Sequence, residues 1–156
     1  MKNKMWLWIL IVVVVVAGLV FVTYRGYNSK ENSMVEGVKI TILQEGSGDV
    51  AKFGDRVSMN YTGKLTNGTV FDSNIDPKFN HPVPFEFTLG GGEVIKGWDN
   101  GIDGMKVGEK RTLEIEPAYA YGERGIGPIP PNSTLVFDVE LLSINKASEG
   151  AQDAAN

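Results

Sequence analysis

The sequence predicts an α+β domain, an antiparallel β-sheet of about five strands around one short α-helix, together with an N-terminal transmembrane helix. Three observations carry that expectation. Between residues 37 and 145 apolar and polar side chains alternate in short runs, the period of half-buried strands. One segment breaks the alternation: Ile95, Trp98 and Ile102 stand at i, i+3 and i+7 and share a helical face. Residues 5–24 form twenty consecutive positions without a charge.

The strands follow in order. Val38, Ile40 and Ile42 alternate with Lys39 and Thr41 and stop at Glu45-Gly46-Ser47-Gly48. Val57, Met59 and Tyr61 alternate and run on through Thr62-Gly63-Lys64-Leu65. Asn67-Gly68 is a hairpin dipeptide, so Val70-Phe71-Asp72-Ser73 is expected to return along that strand. A polar loop with Pro77, His81 and Pro82 intervenes before Phe85, Phe87 and Leu89 alternate again. Arg111, Leu113 and Ile115 form the next strand, and Leu135, Phe137, Val139 and Leu141 the last. Each strand has a single apolar face, which fits an antiparallel sheet with its other face in solvent.

The helix window between Gly97 and Gly101 allows barely two turns, too few to persist without packing. Trp98 supplies its main apolar surface. The glycines before it do not make a phosphate loop, because Gly92-x-x-x-x-Gly97 is followed by Trp98 and not by Lys-Ser/Thr. The third glycine of a dinucleotide fingerprint is missing as well.

Composition narrows the chemistry. A formal charge of −4 argues against a general nucleic-acid binder. The absence of cysteine excludes disulfides and thiolate metal sites, and the single histidine, His81, leaves little room for a histidine-based triad. Ser58, Ser73 and Ser133 have no base in motif spacing, which argues against a hydrolase. What remains is aromatic. Tyr61, Phe71, Phe85, Phe87, Trp98, Tyr121 and Phe137 lie on separate segments that converge on one helix, more than a small core needs. Phe87 reads as core; several of the others sit at element ends, where pocket mouths form.

Five motifs, in order and spacing, resemble the FKBP-type peptidyl-prolyl isomerases: Tyr61-Thr62-Gly63, Val70-Phe71-Asp72-Ser73, Glu93-Val94-Ile95-Lys96-Gly97-Trp98, Tyr119-Ala120-Tyr121-Gly122 and Ile129-Pro130-Pro131 through Phe137. The resemblance runs from Gly37 to about Ile144. It implies a sheet half-wrapped around the helix, with a pocket between them floored by Trp98. Tyr61, Phe71, Asp72, Trp98, Tyr121 and Phe137 are the implied catalytic residues, and Phe85, Glu93, Val94, Ile95 and Ile129 the implied substrate-binding ones. The Ile95 position would offer its backbone N–H and the Tyr121 position its hydroxyl to ligand carbonyls, with Asp72 at the rim and Ile129 on an overhanging flap. Proline-containing polypeptides are the implied partners, and macrolides such as tacrolimus or rapamycin the implied ligands. A non-catalytic proline-peptide-binding or chaperone-like module is the alternative. The chain departs from the pattern in a loop about four residues longer between Asp72 and Phe85, where Lys78 is the nearest candidate for the family's basic residue. It departs again in a shorter flap carrying Pro128.

Rotation about an X–Pro bond breaks no bond, so it requires no nucleophile, metal or cofactor. The amide loses its resonance on twisting, a barrier of ~20 kcal/mol. A twisted amide is less polar than a planar one, and an aromatic pocket that desolvates it binds the twisted state preferentially. On this account His81 is expected to be solvated and the rate to be flat around neutral pH.

Four regions are expected: a membrane anchor over 1–24, a linker over 25–36, the isomerase-like domain over 37–145 and a disordered tail over 146–156. The uncharged run would span roughly 30 Å at ~1.5 Å per residue, one hydrocarbon thickness, and Trp6, Trp8 and Tyr24 lie near its ends. Lys2 and Lys4 followed at once by an apolar run resemble an export signal, so the domain is expected on the extracytoplasmic face.

Overall fold

A computed structural model describes residues 32–146. Seven antiparallel strands form a single sheet. They are β1 (Asn32–Val35), β2 (Val38–Gln44), β3 (Arg56–Leu65), β4 (Val70–Ser73), β5 (Phe85–Thr88), β6 (Lys110–Ile115) and β7 (Leu135–Asn145). The order across the sheet is β1-β2-β6-β7-β3, and β4 and β5 share the far side of β3. β5 pairs with the first residues of β3, from Arg56 to Met59, and β4 with Thr62 to Lys64. The sequence suggests about five strands; the difference lies at the edges, where strands of four residues are held by backbone hydrogen bonds more than by burial.

β1 is the clearest case. Its four residues fall within the expected linker over 25–36, and all are exposed, so no apolar alternation marks them. They pair with β2 across a two-residue turn in which Gly37 takes a positive φ of 71°, and Thr41 Oγ1 donates to Asn32 Oδ1 at 2.8 Å. At the other end Lys146 Nζ donates to the Val50 carbonyl at 2.7 Å and lies 3.4 Å from Asp55 Oδ2, so the expected disordered tail does not begin there. Residues 147–156 lie outside the described region, as does the expected anchor over 1–24. Among the described residues no helix is long and apolar enough to cross a membrane.

Alternation along the strands builds the core. Val57, Met59 and Tyr61 of β3 face inward with Leu135, Phe137, Val139 and Leu141 of β7 and Leu113 and Ile115 of β6. Against that face lies the helix, α1 (Lys96–Ile102), which buries Gly97, Trp98, Gly101 and Ile102. Its two glycines explain how seven residues can seat so closely. A Cβ on Gly97 would lie 2.3 Å from Ile115 Cγ2, and one on Gly101 would lie 2.8 Å from Leu113 Cδ1. The bare backbone therefore rests on β6, and Trp98 is pressed into the sheet.

The C-terminal carbonyls of a helix lack intrahelical partners, and here a buried arginine supplies them. Arg111 points inward, as its alternation predicts, and its Nη1 donates to the carbonyls of Gly101 and Asp103 at 2.8 and 3.3 Å. Its Nε pairs with Glu109 Oε1 at 2.5 Å, and Glu109 also accepts the Lys106 N–H. Both members of the pair are buried.

Candidate functional site

The cleft forms where the sheet curls past the N-terminal half of α1. Trp98 stands at the centre of an aromatic cluster, with ring centroids 5.3 Å from Tyr61, 5.8 Å from Phe85, 5.7 Å from Phe87 and 5.3 Å from Phe137. Most of these pairs meet edge to face, the favourable arrangement for aromatic quadrupoles. Phe71 and Phe137 continue the wall at 5.6 Å. Gly63 makes that wall possible: a Cβ there would lie 2.6 Å from one ring and 2.7 Å from the other. The Tyr61-Thr62-Gly63 motif thus places a phenol at one position and clears space for two phenyls at another.

The cleft measures about 210 Å³ and is lined by Tyr61, Phe71 and Asp72 from β3 and β4, Phe85 from β5, Glu93, Val94, Ile95 and Trp98 from the approach to α1, Tyr121 and Phe137. It is smaller than the ~300–1,000 Å³ typical of drug-sized sites, so it suits one ring-sized residue with its flanking backbone. The expected residues meet here, with one departure. Ile129 lies in the core, 6% exposed, and is not part of the lining. A tight turn in which the backbones of Ile126 and Ile129 exchange hydrogen bonds directs its chain inward, leaving Ile126 exposed at the flap's tip. Phe87 is wholly buried, as its alternation suggests.

The entry to α1 is braced by two carboxylates. Asp99 in the helix accepts the Gly90 N–H at 2.8 Å, and Glu93 Oε1 accepts the Thr88 N–H at 3.0 Å. Thr88, through its side chain first and its N–H second, holds the Glu93 carboxyl below the usual carboxylate range. Ile95 is the N-cap, carries no side-chain cap and lines the cleft; the N–H groups at a helix start have no intrahelical acceptor.

Polar groups collect at the rim. The Tyr61 hydroxyl donates to Asp72 Oδ2 at 2.7 Å, while Asp72 Oδ1 accepts the Ser73 N–H at 2.9 Å. Burial first, and then the bond to Asp72, hold the Tyr61 phenol well above its ordinary pKa. Burial and the Asp72 charge raise Tyr121 as well. Tyr121 differs in one respect: its hydroxyl has no hydrogen-bond partner among the described residues, and the side chain is partly exposed. The buried Trp98 Nε1 also lacks a partner there.

The long loop after β4 corrects one expectation and adds a contact that none foresaw. Lys78 stays on its own turn, 5.0 Å over the Phe79 ring. His81 is exposed, as expected, and in addition places Nε2 2.8 Å from Asp72 Oδ1. The loop is fastened where β4 stops and β5 has not begun. There the buried Asn74 amide accepts the Tyr61 N–H at 2.8 Å and donates to the Met59 and Val83 carbonyls, each at 2.9 Å. Ser73 Oγ donates to the Tyr61 carbonyl at 3.0 Å and meets the N–H groups of Ile75 and Asp76, each at 3.2 Å. Sequence reasoning missed Asn74 and His81, since a polar residue in a polar loop has no periodicity to betray its burial or partner.

Comparison with known proteins gives consistent relatives. The family described as FKBP-type peptidyl-prolyl cis-trans isomerase matches residues 48–142. A Schizosaccharomyces pombe protein named peptidyl-prolyl cis-trans isomerase is 53% identical over 111 residues, which cover 70% of this chain and 96% of that protein. FK506-binding protein 1 of Dictyostelium discoideum is 53% identical, covering 69% and 97%. FK506-binding protein 4 of Neurospora crassa is 56% identical over 71% of this chain, but this chain spans only 23% of that longer protein. Among solved structures, AtFKBP13 superposes with a TM-score of 0.65 at 41% identity, covering 74% of this chain and 99% of that one. FkpA from Escherichia coli gives a TM-score of 0.66 at 38% identity, covering 80% and 56%.

Proposed function

The chain belongs to the FKBP-type peptidyl-prolyl cis-trans isomerases, and we propose that its cleft accelerates X–Pro rotation by desolvating the imide against Trp98. The observation that carries this reading is a ring-sized aromatic cavity whose lining includes Tyr121, its hydroxyl without a partner among the described residues, and Ile95, whose N–H the resemblance assigns to a ligand carbonyl. A prolyl ring on Trp98 leaves water, while the flanking carbonyls take up those two donors. The amide dipole shrinks as the C–N bond twists, so an apolar wall disfavours the planar ground state more than the twisted one. Uncatalysed exchange takes ~10–100 s, and the cleft shortens it without making or breaking a bond.

Within this reading Trp98, Tyr61, Phe71 and Phe137 enclose the ring, and Phe85, Val94 and Ile95 line the path of the chain on either side. Glu93 fixes the turn that presents Ile95. Asp72 keeps Tyr61 oriented at the rim. Ile129 contributes through the core beneath the flap. Macrolides such as tacrolimus or rapamycin would compete for the cleft; the FK506-binding names of the relatives support that. The length and lack of charge of residues 5–24 support a membrane anchor, and the short basic start with Lys2 and Lys4 supports placing the domain on the extracytoplasmic side. Exported or membrane-proximal polypeptides would then be the clients. Protease added to intact cells would remove the domain; cleavage only after lysis would reverse the orientation.

Magnetisation-exchange spectroscopy on an X–Pro peptide tests the activity directly. Substoichiometric protein is expected to speed cis–trans exchange, and tacrolimus to suppress the effect. Peptide binding with an unchanged exchange rate would identify a non-catalytic binding module instead.

A further inference from the structure

We propose that His81 is a positioning residue of this cleft, holding the Asp72 carboxylate against the Tyr61 hydroxyl so that imidazole protonation tunes turnover. The proposal deepens the isomerase reading and rests on it. Three groups form a continuous chain: His81 Nε2 to Asp72 Oδ1 at 2.8 Å, and Tyr61 to Asp72 Oδ2 at 2.7 Å. Asp72 and Tyr61 both line the cavity, whereas His81 does not, so the histidine acts through its neighbour.

The loop delivers the imidazole by construction. Asn74 pins its start to β3 and, through the Val83 carbonyl, its end as well. Asn80 takes a left-handed φ of 56°, and the His81 carbonyl accepts the Val83 N–H at 2.8 Å, closing a tight turn over Pro82 that begins at the histidine. Competing charges are otherwise engaged. Lys78 lies on Phe79, and Asp76 caps its own turn by accepting the Lys78 N–H. Asp72 from β4 is the charged group in contact with the imidazole among the described residues, and the same carboxylate acts on Tyr61 from β3 and on Tyr121 from the loop before the flap.

The direction follows from the hydrogen bond. An imidazolium donates a charge-assisted bond and offsets the carboxylate beside an apolar cleft. A neutral imidazole offers a weaker bond or, in its other tautomer, a lone pair facing the oxygen. Asp72 is then freer to turn to water and Tyr61 loses its orientation. Histidine is the side chain that changes charge between pH 5 and 8, so turnover is highest on the acid side of that step and falls as pH rises. Both groups are about 40% exposed, and screening limits the fall to about two- to five-fold.

The test measures kcat/KM of the full chain in detergent micelles, by protease-free exchange on an X–Pro peptide, between roughly pH 5.5 and 8.5. Asp72 ¹³Cγ shifts are followed in parallel. The wild type is expected to show one downward step, mirrored by the Asp72 signal. His81→Ala should lack the step and stay at the lower, alkaline level; His81→Arg should lack it but recover the acid-side rate, because its charge persists. An active wild type with a flat profile, a step that survives in His81→Ala, or an Asp72 signal blind to the step overturns the proposal. No isomerisation at any pH is a separate failure: it overturns the isomerase reading and this proposal with it.

Discussion

Removing one oxygen from either of two tyrosines should give opposite results. Tyr61 is 9% exposed and its hydroxyl is committed to Asp72 at 2.7 Å. Tyr61→Phe deletes a hydrogen bond to a charged acceptor, worth ~1.5–3 kcal/mol where water is excluded. Asp72 is partly exposed, and water takes up some of its lost partner, which brings the expected cost to about 1–2 kcal/mol. For a domain of this size each kcal/mol lowers Tm by about 4–8 °C. Tyr121 is 37% exposed and its hydroxyl has no partner among the described residues. Tyr121→Phe therefore changes stability by less than ~0.5 kcal/mol. If its hydroxyl serves the substrate carbonyl, its loss removes ~0.5–1.5 kcal/mol of binding in the complex, a fall in kcat/KM of about two- to ten-fold. Far-UV circular dichroism melts and exchange kinetics on one peptide read both quantities. The reasoning is refuted if Tyr121→Phe melts as early as Tyr61→Phe while its rate per folded molecule is unchanged.

Other substitutions probe the frame. Gly97→Ala should lower stability by about 1–3 kcal/mol, since its Cβ meets the buried, branched Ile115; Gly101→Ala, which meets only the tip of Leu113, should cost less, and paired melts compare them. Arg111→Met strands the buried Glu109 carboxylate, an expected loss of about 3–5 kcal/mol, seen as a fall in the denaturant midpoint with activity per folded molecule retained. Alkali should destabilise the fold in a defined window. The Tyr61 and Tyr121 pKa values are raised in the folded state, so their contribution is complete below the unfolded tyrosine value of ~10 and is lost as pH rises above it. Melts in the wild type should fall beyond that pH, and less steeply in Tyr61→Phe.

Much of this architecture was legible because burial leaves a period. The inward residues of β3, β6 and β7 alternate, and Trp98 and Ile102 share a helical face, so the sheet and the helix could be read from spacing, while the residues of the lining were what the family resemblance implied. Even Arg111 declared its inward direction, though nothing in the sequence named Glu109 as its partner. What stayed hidden has no period. β1 is exposed on every residue and is held by its backbone. Asn74 is a buried polar side chain that replaces a missing stretch of ladder, and in sequence it is one more polar loop residue. His81 reaches Asp72 only because that loop doubles back, a consequence of the Asn74 anchor and the Asn80 turn. Ile129 sits beside a flap residue in sequence but falls into the core, because the turn at Ile126 decides which of the two side chains is buried.

The role proposed for His81 also separates two ideas that a flat pH profile would have merged. Desolvation of the imide requires no proton transfer, whereas the contact of His81 with Asp72 would couple the orientation of Tyr61 to the charge of the imidazole. A pH-dependent rate is therefore compatible with the mechanism, provided the proton stays on the imidazole during rotation.

The solvent deuterium isotope effect on kcat/KM, measured on the acid-side plateau of the pH profile with an X–Pro peptide, tests that central claim most directly. Rotation in a desolvating aromatic cleft moves no proton in the transition state and predicts rates that agree in H₂O and D₂O. A substantial normal isotope effect, abolished in His81→Ala or Tyr121→Phe, would mean that a proton is in flight and would contradict it.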